Sequence, residues 1–194
     1  MSEWDPEPAL RALQDWAERI GVQVRTGKPV GAAEVAELAR RYPRAGALGY
    51  APPRSYLAFL AKHGSLELLV PVDGELRRWT GLGVYAPREA ARVTREIASV
   101  DEEPRELSTT HLAAFAPHEL SPALTTCFVT DLPDRNGELP VVIHDRDEPM
   151  YARRADGSPV DRAAWDELPW RSFGEWLEAR VSAAVRLSRD DLEI

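Results

Sequence analysis

The sequence predicts an α+β fold in which helices pack on an antiparallel or mixed sheet. Two observations lead there. Helix-period segments and strand-like runs are segregated along the chain, without the regular alternation that builds parallel βαβ units. In the strand-rich half, two β-branched, apolar runs flank Leu132-Pro133-Asp134-Arg135-Asn136-Gly137, and Asn-Gly is a strong hairpin signal.

The first half reads as three helices. Asp5 is a candidate N-cap with Pro6 at the first helical position. Leu13, Trp16, Ala17 and Ile20 form its apolar stripe, and Gly21 stops it. Thr26-Gly27-Lys28-Pro29 reads as a turn. A second helix is expected from about Ala32 to Tyr42, with Val35, Leu38, Ala39 and Tyr42 on one face. Pro43 to Pro52 reads as a loop. The segment Pro53 to His63 is a proline-started helix stopped by Gly64, with Tyr56, Phe59, Leu60 and His63 along one face.

Strand character follows. Leu66 to Val72 is an apolar run, and Asp73-Gly74 is a hairpin-type turn. Leu76 to Trp79 and Gly81 to Tyr85 read as two short strands. Pro87 opens a helix with Ala90, Val93, Thr94 and Ile97 on one face, ended by the acidic loop Asp101 to Pro104. His111 to Ala116 reads as a strand or a helical turn. Ala123 to Thr130 and Leu139 to His144 are expected to pair as an antiparallel hairpin. Val141-Val142-Ile143 lacks polar alternation, which predicts a strand covered on both faces in the middle of a sheet. Met150 to Pro169 is irregular and polar. Ser172 and Glu175 make a capping box for a last helix lined by Phe173, Trp176, Leu177, Val181 and Ala184. The charged stretch Ser188 to Ile194 is expected to fray.

Composition narrows the function classes. The 194 residues are 44% hydrophobic and 29% charged, enough to bury a sizeable core. A net charge of −8 disfavours direct nucleic-acid binding. It suits a basic protein partner, or serves solubility alone. Cys127 is the only cysteine, so no intrachain disulfide can form. The N-terminus lacks a basic region followed by an apolar run, and no stretch approaches the roughly 20 apolar residues that span a bilayer. These features point to a cytoplasmic protein without a membrane partner.

Several residue groups invite a chemical reading. Asp145-x-Asp147, within His144-Asp145-Arg146-Asp147-Glu148, resembles the metal-binding pair of some glycosyltransferases. Arg146 stands between the two carboxylates and no nucleotide-binding unit precedes them, so a solvated turn is the favoured reading. Leu132 to Ile143 resembles a calcium loop only at Asp134, Asn136 and Gly137. Leu132 and Ile143 occupy positions that require acidic ligands. Cys127 with His63, His111, His118 or His144 would form a nucleophile–base pair, but a thiol inside a β-run reads first as a small buried hydrophobe. No catalytic residue, metal or cofactor is assigned. Of the six tryptophans, Trp165 and Trp170 lie in the irregular segment, where each either anchors a partner or closes the core under a loop. Asp131, Asp134, Asp145, Asp147 and Glu148 gather at the ends of the hairpin. Asp131 and Asp145 are expected to come close and build an acidic patch.

The order and spacing of five pieces resemble the SUKH superfamily, the group related to yeast cell-wall-synthesis regulators and abundant in bacteria. The pieces are Ala33-Glu34-Val35-Ala36-Glu37-Leu38, the Pro53 to Leu60 helix ending at Gly64, Phe128-Val129-Thr130-Asp131, Gly137-Glu138-Leu139-Pro140-Val141-Val142 and Ser172-Phe173-Gly174-Glu175-Trp176-Leu177. The resemblance covers about Ala32 to Ala184. It divides the chain into a helical extension (1–30), a SUKH-like domain (31–187) and a charged tail (188–194). It implies an α+β fold without catalytic activity and a cytoplasmic, protein-binding role. In bacteria that role is most often an immunity protein that binds and neutralises a cognate toxin, frequently a nuclease, and the acidic charge of this chain would suit a basic one. The alternatives are an intracellular scaffold or regulator without a toxin partner, and a metal-dependent enzyme using Asp145 and Asp147.

Overall fold

The computed structural model describes residues 4–41, 50–100, 107–118 and 123–192. Most of the Pro43 to Pro52 loop, the Asp101 to Pro104 loop and the side chains of Leu38, Ala39 and Tyr42 lie outside the described residues.

Helix α1 (Glu7–Ile20) starts one residue later than the Asp5 cap predicts. Pro6 takes the cap position, and the Asp5 carboxylate accepts the Glu7 N–H instead. Leu10, Leu13, Trp16 and Ala17 are buried. Strand β1 (Gln23–Thr26) follows, where sequence patterning predicts none. Its four residues show no apolar alternation, and their partner is β2 (Leu66–Val72), some forty residues away. Helices α2 (Ala32–Arg41) and α3 (Arg54–His63) come next. Gly64 ends α3 at φ 63°, with its backbone so close to the Lys28 carbonyl that a Cβ would collide.

Asp73 and Gly74, both at positive φ, join β2 to β3 (Glu75–Val84). The two short strands expected at Leu76 to Trp79 and Gly81 to Tyr85 are one strand with an irregularity. Leu68 pairs with Trp79 but Leu66 with Val84, so the extra residues on β3 bulge out of the ladder. Helix α4 (Pro87–Val100) leads to β4 (Leu107–Ser108), β5 (Leu112–Pro117), β6 (Leu124–Val129) and β7 (Val141–Asp145). The remaining elements are β8 (Arg153–Arg154), the one-turn α5 (Arg162–Asp166), and α6 (Phe173–Ala184), capped by the Ser172 side chain on the Glu175 N–H.

The described strands form antiparallel sheets in the orders β1-β2-β3, β5-β6-β7 and β4-β8. The Tyr85 N–H donates to the Phe115 carbonyl at 2.8 Å and joins the first sheet to the second. This is an α+β fold, as the element order predicts. The central position expected for Val141 to Ile143 is corrected, because β6 is central and β7 is the edge. Val141 and Val142 are nonetheless both fully buried, one in each of two cores. Coverage on both faces requires a layer above and below a strand, and an edge strand can have both.

The larger core gathers α1, α3, α6, the first sheet and one face of the second. The smaller core lies on the other face of β5-β6-β7, beneath α4 and the 150–168 segment. Residues 4–30 share the larger core, where Trp16 packs 6.3 Å from Trp79 and donates its indole N–H to the Leu187 carbonyl. Within the tail expected to fray, the described residues 188–192 instead make a 3-10 turn at Arg189–Asp191, capped by Ser188 and Asp191, and residues 193–194 lie outside the described residues. Arg189 donates to the carbonyls of Ile20, Gly21 and Pro71, and Leu192 is buried. Among the described residues, no helix is long and apolar enough to cross a membrane.

Candidate functional site

The acidic residues of the hairpin do not form one patch. Leu124 pairs with Asp145 and Phe128 with Val141, so Asp131 follows one end of β6 while Asp145 lies at the other. In an antiparallel pair the end of one strand meets the start of its partner, which separates the two by roughly 20 Å. The expected approach of Asp131 to Asp145 is therefore corrected.

The β6–β7 connection is exposed from Asp131 to Gly137, yet it is held tightly. One Asp134 carboxylate oxygen accepts the N–H groups of Asn136 at 2.7 Å and Glu138 at 2.8 Å. The Asp134 N–H donates to the Glu138 carbonyl, and the Gly137 N–H to the Asp134 carbonyl. These donors, the Glu138 N–H first, hold the Asp134 carboxyl below its usual range. Glu138 then reaches to α3. That helix begins at Pro53 without a side-chain cap of its own. The Glu138 carboxylate supplies one, accepting the Ser55 N–H at 2.9 Å and the Ser55 hydroxyl at 2.5 Å. Leu132, 40% exposed, stands between Asp131 and Asp134 on this pinned loop.

Asp131 is tied to the neighbouring 150–168 segment. It accepts from the Arg153 guanidinium at 2.8 Å, and that guanidinium lies 4.2 Å from the centre of the Trp165 ring. Trp165 is half-buried, 5.4 Å from the His111 ring and 6.3 Å from Tyr151. His111 is buried and sits 2.8 Å from the Tyr151 carbonyl, which requires Nε2 to carry the proton and donate it. Burial pushes the His111 imidazole below its ordinary value, against the opposing effect of that hydrogen bond. Trp170 is also half-buried. It packs on the larger core, and its carbonyl accepts the Val141 N–H at 2.9 Å. Both tryptophans thus lie over core residues.

At the far end of the hairpin, Asp145 accepts the Asp147 N–H at 2.8 Å, which closes a turn with Asp147 and Glu148 exposed. Beneath it, a cleft of about 100 Å³ is lined by Val93, Glu96, Ile97, Thr125, His144 and Arg146, among others. Cys127 is fully buried with its Sγ 3.7 Å from the Thr125 carbonyl, in keeping with a core thiol. Among the described residues, no group of three or more His, Cys, Asp or Glu side chains is placed to hold a metal ion.

Sequence reasoning missed Arg153, Glu138, Leu132 and the role of His111 beside Trp165. Leu132 carried a readable signal, a leucine between acidic residues in a turn. The others act through partners 22 to 83 positions away, and no local pattern announces such pairings. No protein-family model and no curated protein matches this chain.

Proposed function

We propose that the chain is a non-catalytic, cytoplasmic protein-binding domain of the SUKH type, acting as an immunity protein that docks on and neutralises a basic toxin, in the family's usual pattern a nuclease. The observation that carries this reading is the β6–β7 loop. It is exposed, offers Asp131 and Leu132 to solvent, and is pinned by Asp134 from within and by Glu138 to α3. A loop already held in one conformation loses little entropy on docking. The net charge of −8 speeds encounter with a basic surface, and an apolar side chain amid carboxylates lengthens the life of the complex. Neutralisation follows from rigid occlusion and needs no chemistry from this chain.

The test pairs this protein with the product of the adjacent gene. The expected result is a stoichiometric, salt-sensitive complex with a basic protein that poisons cells when expressed alone, and rescue by co-expression. Leu132→Asp combined with Asp131→Lys should weaken that complex by about tenfold or more while the fold persists. A chain that neither captures its neighbour nor rescues cells from it would end the immunity reading.

A further inference from the structure

The outer edge of β7 carries open backbone groups. The Val129 N–H donates to the Pro140 carbonyl and the Arg146 N–H to the Ala123 carbonyl. With the register Cys127↔Val142 and Thr125↔His144, residues 140, 142, 144 and 146 bond to β6. Residues 141, 143 and 145 therefore point their N–H and C=O groups away from the sheet. The Trp170 carbonyl takes the first of these, the Val141 N–H. Beyond that bridge, the backbone groups of Ile143 have no hydrogen-bond partner among the described residues, and Ile143 and Asp145 are only half-buried. The edge has been started by one backbone bridge and then left open.

We infer that this edge receives an extended, basic segment of the protein partner as an added strand, an inference that rests on the protein-binding reading above. Main-chain groups of Ile143 and Asp145 would supply the ladder bonds, and the Ile143 side chain an apolar contact. Charge selects the occupant. Asp145, Asp147 and Glu148 flank the open end, while Arg146 turns to the opposite face and lines the cleft beside His144. Parallel pairing with the β7 edge of a second copy would bring the two sets of carboxylates together, which guards against self-association in that orientation. A strand that sets an apolar residue opposite Ile143 and, two positions along the same face, a basic residue opposite Asp145 meets both. At the far side of the sheets joined through Tyr85 and Phe115, the outer strand β1 carries Arg25 and is followed by Lys28, so it offers no such match.

The test uses the full chain and a capped peptide in which threonine alternates with arginine and valine in turn, so that arginine and valine share one face, with two counterparts N-methylated at every threonine or at every arginine and valine. The parent peptide should slow amide exchange at Ile143 and Asp145 by about tenfold or more and leave Val24 on β1 unchanged. One N-methylated counterpart, the one that blocks the pairing edge, should lose binding. Ile143→Pro removes an outward N–H without touching the β6 ladder and should abolish protection; if that variant fails to fold, the N-methylated pair on the natural chain decides. Peptide that fails to bind, binding without protection at Ile143 and Asp145, equal binding by both counterparts, or an Ile143 amide as protected in the free chain as Val142 would each overturn the inference. A toxin complex that leaves these amides unprotected sinks the edge and spares the immunity reading. Peptide docking without any toxin partner does the reverse.

Discussion

The two faces of the β5-β6-β7 sheet are held in different ways. One face carries Phe115 and Phe128, stacked at 4.1 Å, with Tyr56, Phe173 and Trp176 within 6 Å of one or both. The other carries Leu112, Ala114, Cys127, Val129 and Val142, smaller side chains beneath Ile97 of α4, Tyr151 and Trp165. On the first face, large rings supply stability through buried area and ring–ring contact. On the second, directional contacts do more of the holding. Thr94 accepts the Ala114 N–H at 2.9 Å, His111 holds Tyr151, and Arg153 spans Asp131 and Trp165. The lesson is a division of labour. The aromatic face sets global stability, and the other face sets how readily the surface around the β6–β7 loop opens locally.

The largest break comes from the aromatic face. Phe128→Ala should cost about 4 kcal/mol, read as a lower denaturation midpoint, because the fully buried ring leaves a cavity among its neighbours. A loss below about 1 kcal/mol would show that this face is no stronger than the other. On the second face, Thr94→Val keeps the shape but leaves the buried Ala114 N–H without its acceptor. It should cost about 2 kcal/mol and speed exchange at Ala114 first. Arg153→Ala should cost only about 1 kcal/mol, since a partly exposed ion pair and one cation–π contact are modest. Its mark should be faster exchange across residues 150–168 with global unfolding little changed. A uniform loss across the chain would refute the local role.

The smallest effect is a pH slope. His111 titrates below its ordinary value of 6.5 in the folded chain, so the unfolded chain takes up the proton first as pH falls. The contribution is complete above about 6.5 and is lost as pH drops from there through the folded-state value. Asp131, Arg153 and His144 act on the same ring, the first favouring protonation and the other two opposing it. His111→Gln retains a donor for the Tyr151 carbonyl and should flatten this slope. An unchanged slope would assign it to another group.

Legibility in the sequence followed the range of the interaction. The faces of α1, α3 and α6 were readable, because Trp16, Tyr56, Phe59, Phe173 and Trp176 recur at helical spacing and are buried as that spacing requires. The β2–β3 and β6–β7 hairpins were readable from Asp73-Gly74 and Asn136-Gly137. Two short strands were predicted where β3 is continuous, since the bulge opposite Leu66 to Leu68 depends on what β2 offers. The candidate site was half legible. Its acidic residues were identified, but their separation by the hairpin register, and the restraint of Asp131 by Arg153, required the partners to be in place.

The stops of α1 and α3, the cap of α6, the hairpin turns and the α+β class were determined by the sequence itself. Each depends on a few neighbouring residues: Gly21 and Gly64 after helices, Ser172 capping α6, Asp73-Gly74 between strands. Only the tertiary structure decided that β1 is a strand, that β7 is an edge with open backbone groups, that Glu138 caps α3 and that the tail is docked by Arg189. The β1 pairing, the α3 cap and the docked tail join residues 40 to 169 positions apart. Closing such loops costs entropy that only the assembled cores repay, so no local stretch of sequence contains the outcome.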